Sequence, residues 1–164
     1  MHLLTGYRFQ LTTKLSLLFI LLLFIFTTAH AKQTIIVEPN QERSALLDAI
    51  NGAQNSIKLT IYGFTDDKIA RALIQSKERA VDVAVLIEAT PYLHKDENTK
   101  IVNLLKQHNI SVKYSNPKFF VTHQKTFVFD DAQAWITTFN LTHSAFSSER
   151  NFALVTNNKK IISE

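Results

Sequence analysis

The hydrophobic pattern opens with one long apolar run and then changes to short alternating segments. The run extends from Leu15 to Phe26, with Arg8 and Lys14 before it and the small-residue stretch Ala29-His30-Ala31 after it. Twelve residues rise only about 18 Å in a helix, whereas the hydrocarbon layer of a membrane is roughly 30 Å thick. We therefore predict a signal peptide over residues 1–31 and export to the periplasm or the exterior of a bacterium. An uncleaved segment that tethers the protein to the membrane is the alternative.

From residue 32 the pattern alternates between strand-like and helix-like spacing. Alternation of apolar and polar residues, or short β-prone runs, predicts strands, and apolar residues three and four apart predict helices between them. Asp66 and Asp67 are candidate caps of the second helix. Three β-α units in series predict parallel pairing. The predicted strands are Thr34–Val37, Ser56–Phe64, Val81–Ile87 and Ile110–Tyr114, and the helices with clear bounds are Gln41–Ala53 and Asp96–His108.

After Pro117 the strands are linked by turns. Val121–Phe129 and Ala134–Thr138 predict a hairpin broken at Asp130-Asp131, followed by a helical turn or two and a last strand, Phe152–Thr156. Lys159–Glu164 could begin a helix, but these six residues are too few for a stable isolated one. The whole pattern predicts an α/β fold with a mixed, largely parallel sheet flanked by helices, in one domain over residues 32–164.

Composition narrows the chemistry. The 164 residues contain no cysteine, which excludes disulfide scaffolds, cysteine nucleophiles and cysteine-ligated metal centres. The formal net charge of +4 is a mild basic excess and permits a phosphate-bearing partner without predicting a polybasic surface.

One constellation has the residue types that phosphodiester cleavage needs. His123 and Lys125 are two residues apart in a strand-like run, Asp130 follows at its end, and Asn140 follows the predicted return strand. Residues two apart on a strand share a face, and we expect the turn to direct the Asp130 carboxylate toward the same edge. A cation and an amide can hold phosphate oxygens while an imidazole attacks phosphorus. This chemistry needs no cofactor, and no spacing in the chain is typical of a metal site.

The segment THQKTFVFDDAQAWITTFNLT resembles the HKD motif of the phospholipase D superfamily. SIKLTIYGFTDDKIARAL and VDVAVLIE are similar to a preceding strand, loop and helix, and to a further strand, of that superfamily. The arrangement over residues 35–156 is most similar to its small single-motif bacterial nucleases. The resemblance implies a phosphodiesterase with the phospholipase D-like fold.

The resemblance also implies residue roles. His123 matches the nucleophile that forms a phosphohistidine, Lys125 and Asn140 match phosphate-holding groups, and Asp130 matches the motif aspartate. Glu149, or Asn151 in another register, matches the late acidic residue that orients the imidazole.

Two features depart from the pattern of the family. Thr137-Thr138 stands where the family has Gly-Ser, and we expect residues 159–164 to be too few to form the C-terminal helix of the family. Thr137 matters if the backbone there needs positive φ or a close approach to the phosphate. A weakened or inactive phosphate-binding module therefore stays open as an alternative.

The family uses two such motifs in each active site, and this chain has one. The resemblance thus implies a homodimer with the active site at the two-fold interface, since that symmetry brings the same surface of both subunits together. A truncated half of a two-motif enzyme is the alternative. The substrate class is open between phospholipid and nucleic acid, and Phe119 and Phe120 are either an apolar rim of the site or part of the core.

Overall fold

The computed structural model describes residues 31–41, 43–92 and 96–164. The predicted signal peptide lies, except for Ala31, outside the described residues. The strands are β1 (Gln33–Glu38), β2 (Ser56–Ile61), β3 (Asp82–Ile87), β4 (Ser111–Tyr114), β5 (Thr126–Phe129), β6 (Gln133–Thr137) and β7 (Asn151–Thr156). The helices are α1 (Ser44–Gly52), α2 (Asp67–Glu78), α3 (Thr99–Gln107), a 3₁₀ turn (Ser144–Phe146) and α4 (Lys159–Ile162), a single turn.

All seven strands form one mixed sheet in the order β1-β7-β6-β5-β2-β3-β4. The predicted α/β class, a mixed sheet flanked by helices, is confirmed. β2, β3 and β4 pair in parallel, as two β-α-β crossovers require. The expectation that the sheet is largely parallel is wrong, because the other four pairings are antiparallel. β5 and β6 are joined by a tight turn at residues 130–132, and β7 returns after a longer connection, residues 138–150, which contains the 3₁₀ turn. These three strands pair antiparallel and lie between β1 and β2 in the sheet.

The core lies between the sheet and helices α1 to α3. The inward positions of β2 alternate as the sequence predicts, with Ile57, Leu59 and Ile61 buried. Asp66 caps α2, since its carboxylate accepts hydrogen bonds from the N–H groups of Lys68 and Ile69. Helix α2 is thereby fixed at its start, close to the end of β2. Within the described part of the chain, no helix is both long enough and apolar enough to span a membrane.

The main local difference from the sequence prediction is the start of β5. The predicted strand begins at Val121, but the observed one begins at Thr126. Phe119 and Phe120 are 66% and 98% exposed, so this apolar run is a surface loop and these two side chains are not core. Apolar residues favour a strand only where a neighbouring layer covers them, and none of the described residues covers this segment. His123 and Lys125 therefore lie in the loop that leads into β5.

Candidate active site

Lys125 and His123 occupy the last residues of the β4–β5 loop and contact each other through the backbone. The Lys125 ammonium donates a hydrogen bond to the His123 carbonyl oxygen, with an Nζ–O distance of 2.9 Å. The same Nζ lies 5.2 Å from the ring centre of Tyr62. Lys125 is only 6% exposed, and this burial lowers its pKa. The two residues are thus held together, but by a hydrogen-bonded loop and not by the shared strand face that the sequence predicts.

The His123 imidazole is exposed and packs edge-on against Tyr62, with ring centres 4.7 Å apart. Partial burial and, second, the charge of Lys125 lower the pKa of His123 below its ordinary value of 6.5. Both causes disfavour the imidazolium form. The ring is therefore mostly neutral at pH 7 and has a nitrogen lone pair available for attack on an electrophile.

Asn140 reaches the same place from the end of β6. Its Oδ1 accepts a hydrogen bond from the Gly63 N–H at 3.2 Å, and the Gly63 carbonyl accepts one from the Leu141 N–H at 2.9 Å. A Cβ at position 63 would lie 3.2 Å from Asn140 Cγ, so glycine permits this close approach. With Oδ1 engaged, the Nδ2 group is the end of the amide that can donate to a ligand. His123, Lys125 and Asn140 thus meet around the Tyr62-Gly63 turn that follows β2.

Thr137, which stands in place of the family's glycine, fits the local backbone. Its N–H donates to the Lys125 carbonyl at 2.9 Å, and its hydroxyl lies 3.2 Å from both the Lys125 and the Phe139 carbonyl oxygens. It is not among the described non-glycine residues with positive φ, which are Ala80, Asn109, Asp130 and Asp131. Threonine here strains no φ angle and ties the end of β6 to the start of β5.

Asp130 lies at the opposite end of β5 from Lys125. Its carboxylate accepts backbone hydrogen bonds from Gln54, Asn55 and Ser56, the shortest being 2.7 Å. Burial raises the pKa of Asp130, but these three N–H groups outweigh burial and lower it overall. The expectation that the turn directs this carboxylate toward the His123 edge is therefore wrong. The residue adopts φ of 55° in the turn, and the carboxylate points to the start of β2.

Glu149 and Asn151 lie at the start of β7. Asn151 is 8% exposed, and its Oδ1 accepts a hydrogen bond from the Thr138 hydroxyl at 2.9 Å. The exposed Glu149 accepts a hydrogen bond from Asn151 Nδ2 at 3.3 Å. Among the described residues, neither side chain hydrogen-bonds to His123. The structure thus brings Asn151 next to the end of β6 and does not bring Glu149 to the imidazole. His143 contacts Arg43, with Nη2 and Nδ1 3.5 Å apart.

A group of buried polar residues that the sequence pattern did not indicate supports this site. Asn98, only 4% exposed, accepts from the Phe64 N–H and donates to the Tyr62 and Glu88 carbonyl oxygens. Glu88 accepts a hydrogen bond from the Thr122 N–H, next to His123. A carboxylate directly after the apolar run of β3 is a signal that points to this edge of the sheet, because strand ends carry ligand sites in α/β folds.

Comparison with known proteins fits this geometry. The family model described as "Cardiolipin synthase, PLD-like domain" matches residues 46–164, which include His123, Lys125 and Asn140. The chain belongs to the phospholipase D superfamily. Its phospholipase D-like fold is also that of Nuc from Salmonella typhimurium, a phospholipase D family member, with a TM-score of 0.74 and 25% identity over 82% of this chain and 88% of Nuc.

Two further relatives of this phospholipase D-like chain differ in how much of their length it covers. NucT from Helicobacter pylori superposes with a TM-score of 0.69 and 25% identity, over 82% of this chain and 90% of NucT. The DISARM protein DrmC of Bacillus paralicheniformis is 22% identical over 122 residues, which are 73% of this chain. This chain spans only 51% of DrmC. The superfamily assignment and these similarities support a phosphodiesterase-type activity at the level of the general class.

Proposed function

We propose that this protein is an exported, metal-independent phosphodiesterase that cleaves nucleic acid through a phosphohistidine intermediate on His123. The observation that carries the proposal is the convergence of a neutral imidazole, a buried ammonium and an amide donor at the Tyr62-Gly63 turn. These groups match the requirements of phosphoryl transfer, namely a nucleophile and donors for the nonbridging oxygens.

The proposed reaction has two steps. In the first, a neutral His123 nitrogen forms a bond to phosphorus and the bond from phosphorus to the leaving oxygen breaks, while a general acid protonates that oxygen. In the second, water attacks the phosphohistidine, the phosphorus–nitrogen bond breaks, and the same group takes the proton from the water. Lys125 and Asn140 Nδ2 stabilise the added negative charge on the phosphate oxygens in both steps.

The second proton-transfer group is proposed to come from another copy of the chain. No second histidine among the described residues contacts His123, and His143 is engaged with Arg43. In a two-fold homodimer, His123 of the partner subunit would act as the general acid.

Nucleic acid is favoured over phospholipid because Nuc and NucT, two small nucleases of this superfamily, match this chain over 88% and 90% of their own length. The sequence also resembles the small single-motif nucleases of the superfamily. Phe119 and Phe120, which are exposed and lie four and three residues before His123 in the sequence, are the observation that favours lipid. Exposed apolar side chains near a site can contact acyl chains.

The decisive experiment incubates the purified protein with plasmid DNA, with single-stranded DNA and with phosphatidylcholine vesicles, each with and without EDTA. We expect DNA cleavage that persists in EDTA, because His123 and Lys125 supply the nucleophile and the positive charge that a metal would supply. Loss of activity in EDTA that a divalent ion restores would contradict the mechanism. Cleavage of lipid alone would show that phospholipid, and not nucleic acid, is the substrate. Binding of DNA or lipid without turnover would favour the alternative of an inactive phosphate-binding module.

The site assignment is tested by His123→Ala, with His108→Ala as the matched control. His108 is exposed at the end of α3, away from the Tyr62-Gly63 turn. We expect His123→Ala to lower turnover by a factor on the order of 1,000 or more, because loss of a nucleophile removes the covalent route. The circular dichroism spectrum should not change. His123→Ala with a tenth of wild-type activity would contradict the assignment.

Export is checked by N-terminal sequencing of protein from the periplasmic fraction, which should begin at Lys32.

A further inference from the structure

The loop that carries His123 has little regular structure of its own. Residues 116–121 are exposed throughout, and β5 begins only at Thr126. Since no strand holds this segment, side chains from elsewhere must set the position of the imidazole. Attack on phosphorus requires a reacting group within a fraction of an ångström of its productive place.

Glu88 closes the base of this loop. Its Oε2 accepts a hydrogen bond from the Ser115 hydroxyl at 3.0 Å and another from the Thr122 N–H at 2.7 Å. One carboxylate oxygen therefore ties together the two residues that flank the exposed segment. The Ser115 N–H also donates to the Ile87 carbonyl at 2.9 Å, which fixes that end to β3. Glu88 Oε1 accepts from the Thr90 N–H at 3.2 Å.

The surroundings of Glu88 favour an ionised carboxylate that accepts the hydrogen bonds from Ser115 and Thr122. The residue is 5% exposed, and a buried carboxylate is unfavourable unless it is hydrogen-bonded. Burial raises the pKa of Glu88, but hydrogen bonds from Thr122, Thr90, Ser115 and Ala89 outweigh burial and lower it overall. The fold thus stabilises the charged, acceptor-only form of the side chain.

We propose that Glu88 is a positioning residue, which fixes the backbone on the N-terminal side of His123 through the Thr122 N–H. Lys125 fixes the other side, since its ammonium binds the His123 carbonyl oxygen. Asn98 links Glu88 to the Tyr62-Gly63 turn. Its amide donates to the Glu88 and Tyr62 carbonyl oxygens and accepts a hydrogen bond from the Phe64 N–H. Glu88 is placed to act on the reaction only through this backbone, and the inference rests on the proposed role of His123 as the nucleophile.

The kinetic test compares Glu88→Ala, Glu88→Gln and Glu88→Asp in the full-length protein. Alanine removes the acceptor, and we expect kcat to fall about 100-fold while KM changes less than about threefold. Glutamine keeps the length and one acceptor oxygen, so kcat should remain within roughly tenfold of the wild type. Aspartate keeps the charge but is one methylene shorter, so it should lose more activity than glutamine. The reverse order of glutamine and aspartate would overturn the proposal.

The matched structural control is Ser76→Ala. The buried Ser76 hydroxyl is near the C-terminal end of α2 and lies 3.1 and 3.0 Å from the Ile50 and Ala72 carbonyl oxygens. Its loss should lower the melting temperature and leave kcat unchanged. A folded Glu88→Ala protein with kcat within threefold of the wild type would overturn the positioning role.

Hydrogen exchange of the Thr122 amide gives a readout that does not depend on activity. We expect slow exchange in the wild type and in Glu88→Gln, and fast exchange in Glu88→Ala together with broadened or shifted His123 ring signals in the NMR spectrum. Fast exchange of Thr122 in the wild type would overturn the proposal, even in an active enzyme. If the wild type cleaves no phosphodiester, the proposed function fails, and slow Thr122 exchange would still support the contact itself.

Discussion

At the scale of single residues, the key feature of the site is which groups surround the buried Lys125 ammonium. Its ammonium is buried, yet the described residues offer it a backbone carbonyl and the face of the Tyr62 ring, and no carboxylate ion pair. A buried ammonium that has only neutral partners is favoured when an anion binds beside it. We infer that this arrangement would accept a phosphate oxygen as the anionic partner of Lys125. The charge of Lys125 is also the second cause, after burial, that lowers the pKa of His123.

The lowered pKa of His123 predicts an acidic pH optimum. In the two-imidazole mechanism, one His123 must be neutral and His123 of the partner subunit must be protonated. For two equivalent groups the product of these fractions is largest where the pH equals their common pKa. Because burial and then Lys125 lower that pKa, we expect kcat/KM to be highest on the acid side of 6.5. Lys125→Met should slow the reaction and move the maximum to higher pH. A maximum above pH 8 would contradict the two-imidazole model.

Asp130→Asn tests a different residue-scale function, the stabilisation of the β5–β6 turn. Because the pKa of Asp130 is lowered in the folded state, its contribution to stability is present above the ordinary value of 3.8 and is lost as the pH falls further. Asparagine tolerates the positive φ and keeps one acceptor oxygen. We expect the free energy of unfolding at pH 7 to fall by about 1–2 kcal/mol, and the difference to shrink below pH 4.

Chemical denaturation over that pH range measures the effect. Turnover per folded molecule should stay within about twofold of the wild type, since Asp130 and Lys125 lie at opposite ends of β5. A large loss of turnover at unchanged stability would show instead that Asp130 acts in the site.

At the scale of elements, the sequence pattern correctly predicted those helices, strands and turns that depend on neighbouring residues in the chain. The strand–helix alternation through β4, the Asp66 cap and the β5–β6 turn all depend on neighbours within a few residues, and all are observed. The position of β1 in the sheet depends instead on which strand, distant in the sequence, it pairs with. It pairs with β7 at the far side of the sheet, a contact across more than a hundred residues that no local pattern specifies.

The same limit applies to the site. The sequence spacing predicted that His123, Lys125 and Asn140 belong to one site. In the structure all three lie around the Tyr62-Gly63 turn. The start of β5 was predicted too early because Phe119 and Phe120 have strand-forming side chains but lie uncovered at the surface. Glu88 and Asn98 escaped prediction because their importance arises from contacts with segments more than twenty residues away in sequence. Buried polar residues at strand ends are the signal that would reveal them in similar chains.

At the scale of the whole molecule, the proposed mechanism needs two proton-transfer groups and the chain carries one motif, so the proposal predicts a dimer. We expect the protein to sediment as a dimer, because an isologous interface places two copies of the same loop together. The neighbouring exposed residues, Phe119 and Phe120, are near enough in sequence to His123 to lie at or beside such an interface. Sedimentation velocity across a range of concentrations measures this.

A heterodimer of the wild type with His123→Ala, isolated through two different tags, separates the two possible sources of the general acid. Such a molecule keeps one nucleophile but lacks the imidazole of the partner subunit, so leaving-group protonation should fail and activity should fall to a few per cent or less of the wild type. A wild-type dimer with the same two tags is the control for tagging and exchange. Half of the wild-type activity in the heterodimer would show that each subunit works alone. The acid would then have to come from within the chain, where His143 would first have to leave Arg43.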